Sequence, residues 1–254
     1  MPADWKQLVT EQQGRAAKSD PIIAQTYLRH WGTASTPVQY RCDDGLEYVV
    51  KGPHKAREIV NEQVAAILGR KIGAPIPDVT QASVSDAVVA ALPPAIRGQV
   101  KAGISHALAV VPDVTDVMKD RPHYESVVAN HDRFAALAVL FGWLLPSDRQ
   151  FIYGKHDNLV HSFDHGHFFG RNWTPDTLSQ APPAQIDQWF KNGGVPLNGK
   201  HIQDALSRLK AVTDIDIAEA VTTPPDDWGL TIEERTALAE WLAQRRGQLL
   251  ASAS

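Results

Sequence analysis

The stretch from His131 to Leu145 is built from Ala, Leu, Phe and Trp with little polar interruption, and it ends at Pro146. A helix that is apolar around its whole circumference must be enclosed on all sides by protein or by lipid. Its most apolar part, Phe134 to Leu145, is too short to cross the roughly 30 Å of hydrocarbon in a bilayer. The chain is therefore expected to wrap a core around this helix. With 254 residues, one large domain or two modest ones can do so without metal or disulfide staples.

The lone cysteine, Cys42, excludes an internal disulfide framework and a Cys-rich zinc site, and suits a reducing compartment. The N-terminus lacks the basic-then-apolar order of a signal peptide, so a cytoplasmic protein is expected. Acids and bases are mixed along the chain to a net charge of -4, which argues against a nucleic-acid or anionic-membrane partner.

Residues 1–30 read as a peripheral helix or arm. Small residues follow at Gly32-Thr-Ala-Ser-Thr-Pro37, and then Val38–Cys42 alternates as a strand should. Asp43-Asp-Gly45 is a turn, and Leu46–Val50 resumes strand character up to Lys51, so a β-hairpin is predicted. From Lys55 to Ile72 the apolar residues Ile59, Val60, Val64, Ile67, Leu68 and Ile72 follow the helical period, with Gly73 and Pro75 as the stop. Asp86 to Leu92 is ambiguous, and Ile104 to Val111 reads as a buried strand ended by Pro112.

Beyond Pro112 the texture becomes helical. After the central helix come Ser147–Gln150, a strand at Phe151–Tyr153, a turn at Gly154–Asn158, and a second strand from Leu159 to Phe163 that meets Asp164-His-Gly-His167. From about Thr174 several amphipathic helices follow. The last carries a capping box at Thr231-Ile-Glu-Glu234 and an apolar stripe at Leu238, Trp241, Leu242 and Leu249. The predicted class is α+β, with β-rich residues 1–112, helical residues 113–254 and a lobe boundary near Pro112. Most of the tryptophans are expected in the core or between lobes.

Three constellations could carry chemistry. In the first, small residues from Gly32 let backbone N–H groups approach phosphate oxygens, and Lys51 at a strand end reaches the phosphates as a point charge. Glu62 on the following helix could hold Lys51 extended, with Ala65, Ala66 and Gly69 on the same face. The same spacing also fits a surface lysine and a solvated glutamate. In the second, Asp148 follows the buried helix, where it can orient a hydroxyl and accept its proton, and Asp164 ends a strand, where it can hold Mg²⁺ against phosphates. A helix cap and a turn aspartate fit that spacing too. The third is a cluster of six candidate ligands within twelve residues: His156, Asp157, His161, Asp164, His165 and His167. Imidazole and carboxylate suit a transition metal and a hydrolase, although strand alternation turns His161 away from Asp164.

Tyr48-Val-Val-Lys51-Gly, Ile59-Val-Asn-Glu62, Leu68–Ala74 with Pro75-Ile-Pro77, Ser147-Asp-Arg149 and Phe163-Asp-His-Gly-His167, in that order, resemble the HipA-like kinases. These are bacterial relatives of the phosphatidylinositol kinases within the protein-kinase-like fold. The resemblance covers about Gly32 to Phe169. It implies a bilobal protein-kinase-like fold, with a small β-rich N-lobe and a mostly helical C-lobe, and a Ser/Thr kinase that uses ATP and Mg²⁺. By the resemblance Lys51 contacts the ATP phosphates, Glu62 anchors it, and Gly32 to Thr36 is the phosphate-facing loop with Ser35 as its hydroxyl. Val110 to Asp113, centred on Val111, is the hinge facing adenine. Asp148 is the catalytic aspartate and Asp164 the Mg²⁺ ligand.

The family places an asparagine, a further Mg²⁺ ligand, five residues after the catalytic aspartate. Tyr153 stands there in this chain. Gln150 takes its place if the loop is three residues shorter, and Asn158 is another candidate. The resemblance thus implies a phosphotransferase acting on a protein hydroxyl or a small-molecule alcohol. The Tyr153 departure leaves a nucleotide-binding pseudokinase as the alternative, and a metal hydrolase or an interaction protein with a degenerate fold as further rivals. No residue after Thr174 identifies an acceptor, and no pattern sets an oligomeric state.

Overall fold

Alternation in Val38–Cys42 and the Asp43–Gly45 turn produce the hairpin that they imply. Strands β2 (Val38–Cys42) and β3 (Glu47–Lys51) pair antiparallel with Val38 opposite Val50 and Tyr40 opposite Tyr48. In the computed structural model, which describes residues 3–15, 20–115, 121–192 and 195–252, this hairpin is part of a larger object. A preceding helix α1 (Trp5–Arg15) leads to strand β1 (Ile22–His30). Strand β1 pairs antiparallel with β2 and parallel with β4 (Val79–Val84). With β5 (Gly103–Ala109) the order β1-β2-β3-β5-β4 closes into a barrel. Tyr40, Cys42, Val50, Val84, Leu92 and Ala107 are among the side chains that fill it.

The reading of residues 1–30 as a helix or arm is corrected here. Helix α1 is present, but Ile22–His30 is a barrel strand, while residues 1, 2 and 16–19 lie outside the described residues. Register shifts between Ala24 and Thr26 and between Tyr27 and Arg29 break the inward–outward alternation. A strand interrupted in this way has no period of two to detect. The ambiguous Asp86–Leu92 stretch resolves as a short helix α3 (Asp86–Ala90), capped by the Ser85 hydroxyl, followed by α4 (Pro94–Arg97).

Helix α2 (Arg57–Lys71) lies between the barrel and the helical half, touching β4, β5 and α6 (His131–Leu144). Because it is enclosed, ten of its residues are buried, including the polar Asn61, Glu62 and Gln63. Helix α6 is buried at every position from Phe134 to Leu144, as its composition demands. Gly142 lets the chain at Gln185 cross it: a Cβ there would lie 2.2 Å from the Gln185 carbonyl oxygen.

Between β5 and α6 the chain forms β6 (Val114–Thr115) and α5 (Arg121–Ser126). After α6, β7 (Gln150–Gly154) and β8 (Val160–Phe163) join β6 in a three-stranded sheet. Helices α7 (Pro175–Ser179), α8 (Gln188–Asn192), α9 (Gly199–Ala211), α10 (Asp214–Thr222) and α11 (Ile232–Ser252) complete the chain, and α1 packs on α10 and α11. The predicted capping box forms, with Glu234 N donating to Thr231 Oγ1 and Thr231 N donating to Glu234 Oε2.

Buried Arg245 on α11 donates to the carbonyls of Gly142 and Trp143, at the α6 end where the helix leaves its carbonyls unpaired, and to Pro182. Trp143, Trp173, Trp228 and Trp241 are buried, and Trp189 is half-buried. Among the described residues no helix is long and apolar enough to cross a membrane.

Candidate active site

Lys51 is the last residue of β3, opposite His106 on β5, and its side chain is 8% exposed. An ammonium taken that far from water needs anionic partners. It has two. Glu62, from the buried face of α2, pairs with Lys51 Nζ, and Asp164, directly after β8, accepts from the same nitrogen at 2.5 Å. Lys51 and Glu62 are thus neither a surface lysine nor a solvated glutamate. Burial pulls the Lys51 pKa down, but the Glu62 and Asp164 carboxylates outweigh it and hold the ammonium above its ordinary value. For Glu62 burial acts upward, and Lys51 and His165 outweigh it, so the carboxylate stays ionised below its ordinary range. Its second oxygen accepts from the His165 backbone N–H at 2.9 Å.

Asp148 sits between α6 and β7. Its Oδ1 accepts from Arg149 N at 2.8 Å, which orients the carboxylate, while the Arg149 guanidinium is anchored on Asp187 at 2.5 Å. Gln150, the first residue of β7, joins the two aspartates: its Nε2 donates to Asp148 Oδ2 and to Asp164 Oδ2, each at 2.9 Å. Alternation along β7 then sends Tyr153 elsewhere. It is buried and stacked on Tyr124 with ring centroids 4.2 Å apart. Asn158 lies in the hairpin turn at the far end of β7, its carbonyl accepting from Asn130 Nδ2. Of the three candidates for the missing asparagine, Gln150 stands beside Asp148 and Asp164.

The Gly32–Thr36 loop joins β1 to β2. Because Val38 pairs with Val50, the loop lies at the Lys51 end of the hairpin. Gly32 is exposed and Ser35 half-buried, with its hydroxyl 3.5 Å from that of Thr33. The loop is held by Lys55 Nζ, which donates to the Ala34 carbonyl at 2.7 Å, and by the Thr36 hydroxyl on Gln99. Val110 to Asp113 leaves β5, with Val110 N donating to Glu47 O at 2.9 Å. Val110, Val111 and Pro112 border a cavity of about 430 Å³ that also touches Pro75, Ile76 and Arg133.

The third constellation is dispersed. His156 is exposed at the turn, 3.6 Å from Asp113; His161 faces Arg133; and His165 is buried under Glu62 with its Nε2 3.0 Å from Ser162 Oγ. Among the described residues no three His, Cys, Asp or Glu side chains are gathered as a metal cluster. Transition-metal hydrolysis through the 156–167 residues therefore has no assembled site.

Sequence reasoning missed three supporting residues. Lys55 and Arg149 are ordinary charges in sequence, and their loop partners come from tertiary structure. Asn61 is more telling: it is fully buried next to Glu62, and its partners Gly166, Phe168 and Arg171 are brought to it by the fold alone. The fit to a divalent cation is one of donor type. Two carboxylates share one amide, and turning that amide about its last bond presents Oε1 in place of Nε2. Hard oxygen donors of this kind suit Mg²⁺.

Comparison with solved structures finds the same fold in a proinflammatory kinase of Helicobacter pylori, CtkA. The TM-score is 0.61 and the identity 12%, over 92% of this chain and 96% of that one. The Golgi casein kinase is a more remote neighbour at a TM-score of 0.49 and 12% identity, over 97% of this chain and 75% of that one. No curated protein matches the sequence. The family described as HipA-like kinase matches residues 23–169. That span is more than half of the chain and contains all but the first residue of the barrel strand β1, the Lys51–Glu62 pair and both aspartates, so this chain belongs to the HipA-like kinase family.

Proposed function

We propose that the protein is a phosphotransferase that moves the γ-phosphoryl group of ATP to a Ser or Thr hydroxyl on a protein, with Mg²⁺ as its cation. The observation that carries this reading is the buried ammonium of Lys51, held by Glu62 and touching Asp164, which Gln150 joins to Asp148. A phosphoryl transfer asks for charge neutralisation and alignment more than for covalent chemistry, and these groups supply both.

In this reading, the barrel-bearing residues up to Pro112 and the helical residues 113–254 form two lobes meeting near Pro112, with α1 packed on α10 and α11 of the second. Lys51 neutralises the phosphates, and backbone N–H groups from Gly32 to Ser35 cover them. The hinge at Val111 presents backbone groups to adenine. Asp148 accepts the proton of the acceptor hydroxyl as the oxygen–phosphorus bond forms and the bond to ADP breaks. Asp164 and Gln150 would hold Mg²⁺, which when bound offsets the charge on the phosphate oxygens. Gln150 at the metal position supports turnover over a pseudokinase, because a carbonyl oxygen is available where Tyr153 would offer none.

The test incubates the protein with γ-labelled ATP and a mixed protein acceptor, with Mg²⁺ or with chelator, followed by phosphoamino-acid analysis. Label on Ser or Thr that requires Mg²⁺ and disappears in Lys51→Met and Asp164→Asn is the expected result. Equal labelling by the variants, or none by the wild type despite nucleotide binding, would overturn it.

A further inference from the structure

The chain after Asp164 takes an unfavourable path. Asp164, Phe169, Gly170 and Arg171 have φ of 57°, 57°, 77° and 69°. Three of these are L-residues with side chains, for which the left-handed region is disfavoured. Such a path persists only where the surroundings over-determine it.

The determinant is one side chain. Asn61 on α2, fully buried, donates from Nδ2 to the carbonyls of Gly166 at 2.8 Å, Phe168 at 3.0 Å and Arg171 at 2.9 Å. Its Oδ1 accepts from Trp173 Nε1 at 2.9 Å. The amide thus ties down the carbonyls on either side of the left-handed turns and the residue that ends the segment.

Two neighbouring contacts place this clamp in the site. Glu62, the next residue of α2, takes the His165 N–H. Gly166 packs on α2, where a Cβ would stand 3.3 Å from Glu58 Cβ and 3.4 Å from Glu62 Oε1. On the other side Ser147, just before Asp148, donates from N and Oγ to the His167 carbonyl, and Phe169 N donates to Leu144 O. The strained segment is therefore stitched both to the helix bearing Glu62 and to the loop bearing Asp148.

We propose that Asn61 is a positioning residue of the site: it holds the backbone of 165–173 in the path that aims the Asp164 carboxylate. This rests on the reading of Asp164 as the metal ligand. Asn61 touches neither nucleotide nor metal and acts through the backbone.

The test measures ADP affinity by calorimetry, with Mg²⁺ and with chelator, for wild type, Asn61→Ala and Trp173→Phe. Trp173→Phe keeps one aromatic ring but removes the N–H together with the pyrrole ring, which leaves Asn61 Oδ1 without its donor, so it carries the test should Asn61→Ala fail to fold. Loss of such an outer partner costs about 10–100-fold in metal affinity or activity. The expected result is a fall of that size in the Mg²⁺-dependent gain of ADP affinity for Asn61→Ala, and a smaller fall for Trp173→Phe. The affinity measured in chelator should stay within about twofold of wild type, since a pure packing defect would lower both affinities together. Faster amide exchange across 165–173 in nucleotide-free variants is expected as well. A Mg²⁺-dependent gain equal to wild type in the folded variants would overturn the role of Asn61 alone. A wild type that gains no ADP affinity from Mg²⁺ would overturn the metal-site reading itself.

Discussion

The Lys51 ammonium lies 2.5 Å from the Asp164 carboxylate, which joins the end of β3 to the residue after β8 across 113 positions of sequence. Glu62 shares the same ammonium. One cation therefore balances two carboxylates in a place with little access to water, and its removal has a calculable consequence.

Lys51→Met leaves Glu62 buried and uncompensated. Breaking a buried pair in this way costs about 3–5 kcal/mol. Chemical denaturation without nucleotide should show a loss of that order, and Lys51→Met combined with Glu62→Gln should recover part of it. A neutral effect of Lys51→Met would mean that the three groups are not coupled as described.

Gln150 sits between two aspartates, so its charge sets the balance between metal-free and metal-bound states. Gln150→Glu adds a third carboxylate beside Asp148 and Asp164. The metal-free protein should lose stability through like-charge repulsion, and the Tm gain on adding Mg²⁺ with ADP should grow. Gln150→Leu should diminish that gain. Thermal unfolding of the three proteins checks both directions, and identical gains would remove Gln150 from the metal site.

His106, on β5 opposite Lys51, hydrogen-bonds Gln63 at 2.8 Å and is surrounded by Lys51, Glu62, His165 and Asp164. Burial pushes its pKa down to about 3, with the positive Lys51 adding to the effect and Asp164 opposing it. The unfolded chain takes up this proton near pH 6.5 and the folded chain only near 3, so stability is lost as pH falls between those values. The slope is about 1.4 kcal/mol per pH unit for the one group. Denaturation series between pH 7 and 5 should show His106→Gln with a shallower slope by about that amount.

Gly142→Ala tests how the loop bearing Asp148 is supported. A Cβ would meet the Gln185 carbonyl oxygen at 2.2 Å, and that segment carries Asp187, the anchor of Arg149. The added methyl should cost about 1–3 kcal/mol through displaced backbone. Transfer activity should fall more than ADP affinity, because Asp148 is disturbed and Lys51 is not.

Much of the site is legible in the residues themselves. Lys51, Asp148 and Asp164 stand out because each is a charge at the end of a periodic segment, Glu62 because it lies within an otherwise periodic helix, and their order matches one family. The α6 helix is legible because uninterrupted apolar sequence has only one way to be satisfied in water. Strand β1 is not legible, because its bulges erase the alternation that marks a strand. Asn61 belongs to the motif Ile59-Val-Asn-Glu62, yet its role depends on carbonyls more than a hundred positions away, which no local pattern encodes. The choice among Gln150, Tyr153 and Asn158 likewise depends on which face of β7 turns toward Asp164, and only the fold supplies that.

In the proposed reaction Asp148 performs the proton step while Lys51 and Asp164 hold the nucleotide. Single-turnover transfer from γ-labelled ATP, measured beside ATP affinity for wild type and Asp148→Asn, separates these roles. A positioned general base contributes about 10²–10⁴-fold. A fall of that size in the transfer rate with ATP affinity unchanged is the expected result. Transfer by Asp148→Asn at the wild-type rate would contradict it.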